Sequence, residues 1–242
     1  MSLLQNLCAG KIPFFTMKDN EILEVRLGEE RKDPNSQESR FLKACCLLFG
    51  KCIPKDVKLA FQLFRQLSDE GHVAAKYHLG CLFLDGKGIE NNLDQALQFT
   101  IQAAESGHFL AIINLSSFYW NGICVPVNKE MAVHWMHRAL EVLPNHPIML
   151  YQLALALWSG DGIAMDKERA ITLYLQAAGR KYTQSAEKLC EIAEAYLKGH
   201  GVEKNKEKGG EILVQLLQMG YDFVAQKLFE LGKAGLIQMK KM

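Results

Sequence analysis

Ala75-Lys76-Tyr77-His78-Leu79-Gly80-Cys81-Leu82-Phe83-Leu84-Asp85-Gly86-Lys87-Gly88-Ile89 decides the fold. Ala75, Gly80 and Phe83 fall on one face of a helix expected from about Ala74 to Asp85, and Gly86 stops it in a left-handed turn. The same signal returns along the chain. Glycines close equivalent segments at Gly50, Gly86, Gly122, Gly160 and Gly199, at intervals of 36, 36, 38 and 39 residues. A small residue stands six positions before each and a bulky one three before: Ala44/Leu47, Gly80/Phe83, Ser116/Tyr119, Ala154/Leu157 and Ala193/Tyr196. A period of this length marks a helical solenoid, in which each unit buries its apolar face against its neighbours.

A second helix follows every glycine. Six residues on stand Asp56, Asn92, Asn128, Asp166 and Asn205, all side chains that accept from the free amides of a helix N-terminus. Four residues later come Ala60, Ala96, Ala132 and Ala170, with Gly209 as the departure; Phe99, Trp135 and Leu173, then Ala103, Ala139 and Ala177, continue the pattern. Each unit therefore reads as helix A, a glycine turn, a capped helix B and a short loop carrying Gly71, Gly107 or Gly220.

These residues resemble the Sel-one-like repeat of the tetratricopeptide superfamily. The best copy runs from Ala75 through Gly86-Lys87-Gly88-Ile89 and Asp94-Gln95-Ala96 to Ala103-Ala104-Glu105-Ser106-Gly107. Gly160-Asp161-Gly162-Ile163 and Gly199-His200-Gly201-Val202 repeat the turn, whereas Cys52 and Cys124 replace its second glycine. Leu143-Pro144-Asn145-His146-Pro147 lengthens one loop between repeats. The expected fold is all-α, a right-handed α-α superhelix. Residues 39–220 form an array of about five repeats, residues 1–38 a degenerate leading repeat, and residues 221–242 a capping helix. Leu4, Leu7 and Gly10 echo the repeat spacing, Asp33-Pro34-Asn35-Ser36 reads as that unit's exit loop, and the last helix is expected from Tyr221 to about Gln238.

Composition removes several function classes. Twenty-eight basic residues balance 27 acidic ones, so nucleic acid and anionic membranes are not expected partners. No apolar run approaches the ~20 residues that span a bilayer. The N-terminus lacks the basic, then apolar, pattern of a secretory signal. Seven cysteines (Cys8, Cys45, Cys46, Cys52, Cys81, Cys124, Cys190) do not recur in pairs, which suits reduced thiols in a cytoplasmic protein. Translocation into a host cell is the alternative for a bacterial effector.

The Gly-x-Gly turns follow helices rather than strands, so they serve the turn and not a nucleotide. His134 and His137 lie one helical turn apart without a third ligand set by spacing, and Cys45 and Cys46 are adjacent and cannot face one direction. No metal, cofactor or catalytic residue is expected.

What the resemblance implies is a protein or peptide partner held on the concave face, lined by the A helices. Applied residue by residue, it implies Tyr77, Ile113 and Tyr151, with Phe41 and Cys190, at one groove position. Cys81, Ser117 and Leu155, with Cys45 and Glu194, occupy a second. Leu84, Trp120 and Trp158, with Leu48 and Leu197, stand two before the turn glycine; Asp85, Asn121 and Ser159, with Phe49 and Lys198, stand one before it. Two tryptophans on successive repeats suit an anchor for a helix or an extended peptide. The leading expectation is a non-enzymatic adaptor or scaffold. The alternative is an immunity or effector-regulating protein that inhibits one dedicated partner.

Overall fold

The computed structural model describes residues 35–236 apart from 52 and 87. The expected leading repeat at Met1–Lys32, the Asp33-Pro34 part of its exit loop, Cys52 and the chain beyond 236 lie outside the described residues. Among the described residues there are eleven α-helices and no strand: α1 (Gln37–Phe49), α2 (Val57–Asp69), α3 (Val73–Asp85), α4 (Leu93–Glu105), α5 (Phe109–Asn121), α6 (Lys129–Val142), α7 (Pro147–Ser159), α8 (Lys167–Gly179), α9 (Thr183–Lys198), α10 (Lys206–Gln218) and α11 (Phe223–Lys233). The chain divides into two compact units, up to Trp135 and from Met136, with the division inside α6. In the first unit α1, α2, α3, α4 and α5 pack consecutively; in the second, α7 through α11 do the same. The fold is all-α and built of helix-turn-helix repeats.

The turn between helices A and B is one structure made five times. Gly50, Gly86, Gly122, Gly160 and Gly199 adopt φ of 69°, 65°, 72°, 78° and 78°, the left-handed region that a Cβ disfavours. Six residues later the side chains of Asp56, Asn92, Asn128, Asp166 and Asn205 accept from Leu59, Gln95, Met131, Arg169 and Lys208 N–H at 2.9–3.0 Å. The backbone N–H of each of these capping residues also donates back across the turn. The acceptors are the carbonyls of Leu47, Phe83, Tyr119, Leu157 and Tyr196, at 2.8–3.0 Å.

Closure of the turn presses helix A onto helix B, and small residues absorb the contact. Ala44, Ala60, Ala75, Ala96, Ala132, Ala154, Ala170 and Ala193 are fully buried. A Cβ on Gly80 would lie 2.6 Å from Thr100 Oγ1 and 3.2 Å from the Ala96 carbonyl oxygen. Gly209, the departure from alanine, has a cause of the same kind. A Cβ there would lie 2.8 Å from the Ala193 carbonyl oxygen and 2.8 Å from Leu197 Cγ. The α9–α10 crossing is therefore tighter than an alanine allows.

The loops returning from helix B to the next helix A need a left-handed residue as well. Gly71, Gly107 and Gly220 supply it at φ of 91°, 84° and 81°, but Lys181 holds the place at φ 63°. Its ammonium donates to the Met219 carbonyl at the end of α10 at 2.5 Å. A charge-assisted bond to the next repeat thus offsets part of the backbone strain.

In the second unit the hydroxyl of Tyr174, a fully buried side chain, has no hydrogen-bond partner among the described residues. Burial, with Tyr151 and Glu191 nearby, pushes its ionisation up. The ring fills a core site, edge-on to Tyr151.

Gly209→Ala is expected to destabilise by about 1–3 kcal/mol through overpacking, while Gly210→Ala, where a Cβ meets nothing within 4 Å, gains about 0.5–1 kcal/mol of helix propensity. Urea midpoints of the pair test this; upward shifts in both variants would refute the tight crossing. Tyr174→Phe removes a buried unpaired hydroxyl and is expected to raise stability by about 1 kcal/mol. A lowered midpoint would reveal a partner for that hydroxyl.

Candidate functional site

The expected partner-facing residues separate by burial, and the separation has a structural cause. In the first unit Tyr77, Ile113 and Ser117 are buried, at 5%, 6% and 7% exposure. Tyr77 lies flat on His108, ring centroids 4.5 Å apart. Phe41 lies on His72 in the same way at 4.6 Å. The aromatic residue nine positions before a turn glycine thus stacks on the capping residue of the next helix A. In the second unit Tyr151 meets Tyr182 edge-on at 5.4 Å, again the residue that precedes the next helix A. These rings are engaged in repeat-to-repeat packing; Tyr77 is buried, while Phe41 and Tyr151 keep partial exposure.

The residues nearest the turns are more open. Cys81, Leu84, Asp85 and Trp120 are half-buried and Asn121 is exposed; in the second unit Leu155 and Trp158 are half-buried and Ser159 is exposed. Asn121 Nδ2 donates to the Ser117 carbonyl and hydroxyl at 3.0 and 3.1 Å. Ser159 Oγ donates to Leu155 O at 3.0 Å and lies 2.7 Å from Asp161 Oδ2. Asn91 Nδ2 donates to Leu84 O at 2.6 Å. The Ser159–Asp161 and Asn91–Leu84 contacts tie a helix end to its own turn, while the others stay within the last turn of the helix.

Both tryptophans carry a cation. Lys129 Nζ, on the first residue of α6, sits 3.6 Å from the Trp120 ring centroid. Lys167 Nζ, on the first residue of α8, sits 5.2 Å from that of Trp158 and donates to Gly201 O at 3.0 Å. The position two before a turn glycine thus faces the start of helix B in its own repeat. Where that position is Leu48, its counterpart is the apolar Val57, and both pack on the same core cluster.

Glu194, another expected groove residue, pairs with Lys198 at 2.7 Å and with Lys227 of α11. The bonds from Lys198 and Lys227 hold its carboxyl below the usual range. An open hollow of about 410 Å³ in the second unit, lined by Lys167, Glu168, Tyr196, Lys204 and Lys208 among others, was not legible from spacing. Its Glu168–Lys208 ion pair joins α8 to α10 across 40 residues of sequence.

Nucleophilic chemistry has little support in the described thiols. Burial pushes Cys45 up to about 12 and Cys190 up to about 11, leaving both protonated near neutrality. His134 meets Trp135 edge-on. Among the described residues no three His, Cys, Asp or Glu side chains converge as a metal site would require, and no helix is long and apolar enough to cross a membrane.

Comparison with known proteins bears on this arrangement. The Sel1 repeat pattern matches residues 41–72, 73–108, 110–141, 147–182 and 184–213. No curated protein matches the chain. Two solved structures share the fold. One is the crystal structure of c5321, a protective antigen of uropathogenic Escherichia coli strains that displays an SLR fold: TM-score 0.69, 23% identity, 91% of this chain and 45% of that one. The other is a Sel1 repeat protein from Oxalobacter formigenes: TM-score 0.63, 21% identity, 91% of this chain and 92% of that one. The chain thus spans under half the length of the first and nearly all of the second. Five pattern matches over more than half of the sequence place the chain in the Sel1 repeat family.

Proposed function

We propose that the protein is a non-enzymatic adaptor or scaffold that holds a protein or peptide partner on the A-helix side of its repeats. Sel1 repeat proteins generally mediate protein–protein interaction and are typically non-catalytic. The observation that carries the reading here is the recurrence of a half-buried tryptophan with a lysine against its ring, at Trp120/Lys129 and Trp158/Lys167. A rigid aromatic side chain of this kind gives much contact area for little lost conformational freedom. The adjacent ammonium suits a carboxylate beside the partner's apolar anchor. The buried ring of Tyr77 and the half-buried ring of Phe41, stacked on capping histidines, have a different role: they stiffen the helices that present the accessible positions.

Within each unit the contacting set is then narrower than the full groove set. It comprises Cys81, Leu84, Asp85, Trp120 and Asn121 in the first unit and Tyr151, Leu155, Trp158 and Ser159 in the second. Tyr77, Ile113 and Ser117 support these positions from beneath.

Trp120→Ala and Trp158→Ala, made separately, are expected to weaken a purified partner's affinity at least tenfold each, equivalent to ~1.4 kcal/mol or more. Isothermal titration against the wild type reads this directly, with circular dichroism as the check on folding. Unchanged affinity in both folded variants would refute the tryptophan surface. Loss of the partner's own activity on binding would assign the protein to inhibition rather than scaffolding.

A further inference from the structure

Three histidines of the first unit sit in one aromatic cluster around α3. His78, on α3, stacks on Phe64 of α2 with centroids 4.9 Å apart, and Phe41, Phe49 and Tyr77 complete the surround at 5.6, 6.4 and 5.4 Å. His72 and His108 cap α3 and α5. Their Nδ1 atoms accept from Ala75 N–H at 3.2 Å and Ala111 N–H at 3.4 Å. An accepting Nδ1 carries no proton, so both caps require neutral imidazoles. We propose that this cluster is an acid-sensitive latch: at neutral pH it locks the repeats around α3, and in mild acid its protonation opens the first unit.

The groups acting on His78 oppose its charge. Burial comes first, then His108, then His72, and together they push it down to about 3. Burial, followed by His72, also lowers His108. Other elements offer little compensation at His78. Glu38 of α1 comes within 3.8 Å of His72 Nε2 and gives that ring alone a carboxylate. Glu70, closing α2, acts on His72 but is clamped by Arg40 at 2.6 and 2.5 Å and by Gln37 at 3.1 Å. Cys45 of α1 is a protonated thiol. Lys43 of α1, Lys58, Arg65 and Asp69 of α2, and Asp94 and Glu105 of α4, are exposed, while α3 itself adds half-buried Lys76 and Asp85.

A base whose folded-state pKa lies below its unfolded one stabilises fully above the unfolded value and loses that contribution as pH falls. For His78 the window runs from 6.5 down to about 3. By pH 5 this group alone shifts the folding equilibrium about 30-fold toward the open state. Loss of the His108 cap adds to the effect. The second unit holds one buried-shifted histidine, His146, so the first unit is the one expected to open first.

His78→Asn tests the latch, because Asn114 fills the equivalent place in the next repeat. Urea unfolding at pH 7.5 and pH 5 should show the wild type losing about 30-fold more in its folding equilibrium than His78→Asn does. His108→Asn, which keeps a capping oxygen that does not titrate, should remove a smaller part. An acid-active protease at pH 5 should first cut within the described helices between Gln37 and Trp135. Equal pH dependence in wild type and His78→Asn, or first cleavage beyond Met136, overturns the proposal. If His78→Asn does not fold, NMR titration of the wild-type imidazoles decides: a His78 titrating near 6.5 in the folded protein contradicts the latch.

Discussion

Everything else in the structure depends on one backbone hydrogen bond, made at each A–B turn. The N–H of the residue that caps helix B donates to the carbonyl three residues before the turn glycine. That bond forms only if the glycine has already turned the chain through the left-handed region, so the two features act as a pair. Once formed, it fixes where helix B starts and how closely it runs along helix A. The small residues at Ala44, Gly80, Ser116, Ala154 and Ala193 are its consequence, since a closer approach leaves no room for larger ones. The same closure brings Lys129 to Trp120 and Lys167 to Trp158.

Much of this was legible in the sequence because the turn is local. A glycine, an Asp or Asn six residues on and an alanine four beyond that lie within one short window, and each reports a backbone or capping requirement at its own position. The described part of α3 begins one residue before the expected Ala74 and ends at the expected Asp85. Departures from the pattern were visible, but not their reasons. Gly209 answers to the Ala193 carbonyl and Leu197, which belong to another helix. Lys181 holds a left-handed place that three glycines hold elsewhere, because its side chain reaches the end of α10. Cys124 likewise stands at φ 60° where other repeats carry a second glycine.

The candidate site was legible in outline and not in depth. Helical spacing gives the face on which Tyr77, Ile113 and Ser117 lie, but their burial depends on what the next repeat lays over them. For Tyr77 that is His108, 31 residues downstream, and no periodicity in α3 announces it. The histidines themselves are easily passed over. His72 and His108 recur at the repeat period, and their recurrence was the available sign that imidazole serves as a helix cap here. Capping and stacking on one side, and the half-buried tryptophans near the turns on the other, divide the A helices into packed and more accessible positions.

The central claim is that left-handed glycine closure of the A–B turn holds the repeats in place. The most direct measurement compares the urea midpoints of Gly160→Ala and Gly179→Ala with that of the wild type. Gly160 sits at φ 78° with ordinary space for a Cβ, its nearest neighbour being Met165 Cβ at 3.4 Å, while Gly179 ends α8 with nothing within 4 Å. The account expects Gly160→Ala to lose about 1–2 kcal/mol from backbone conformation alone, and Gly179→Ala to hold or gain stability. A Gly160→Ala midpoint at or above that of the wild type would contradict it.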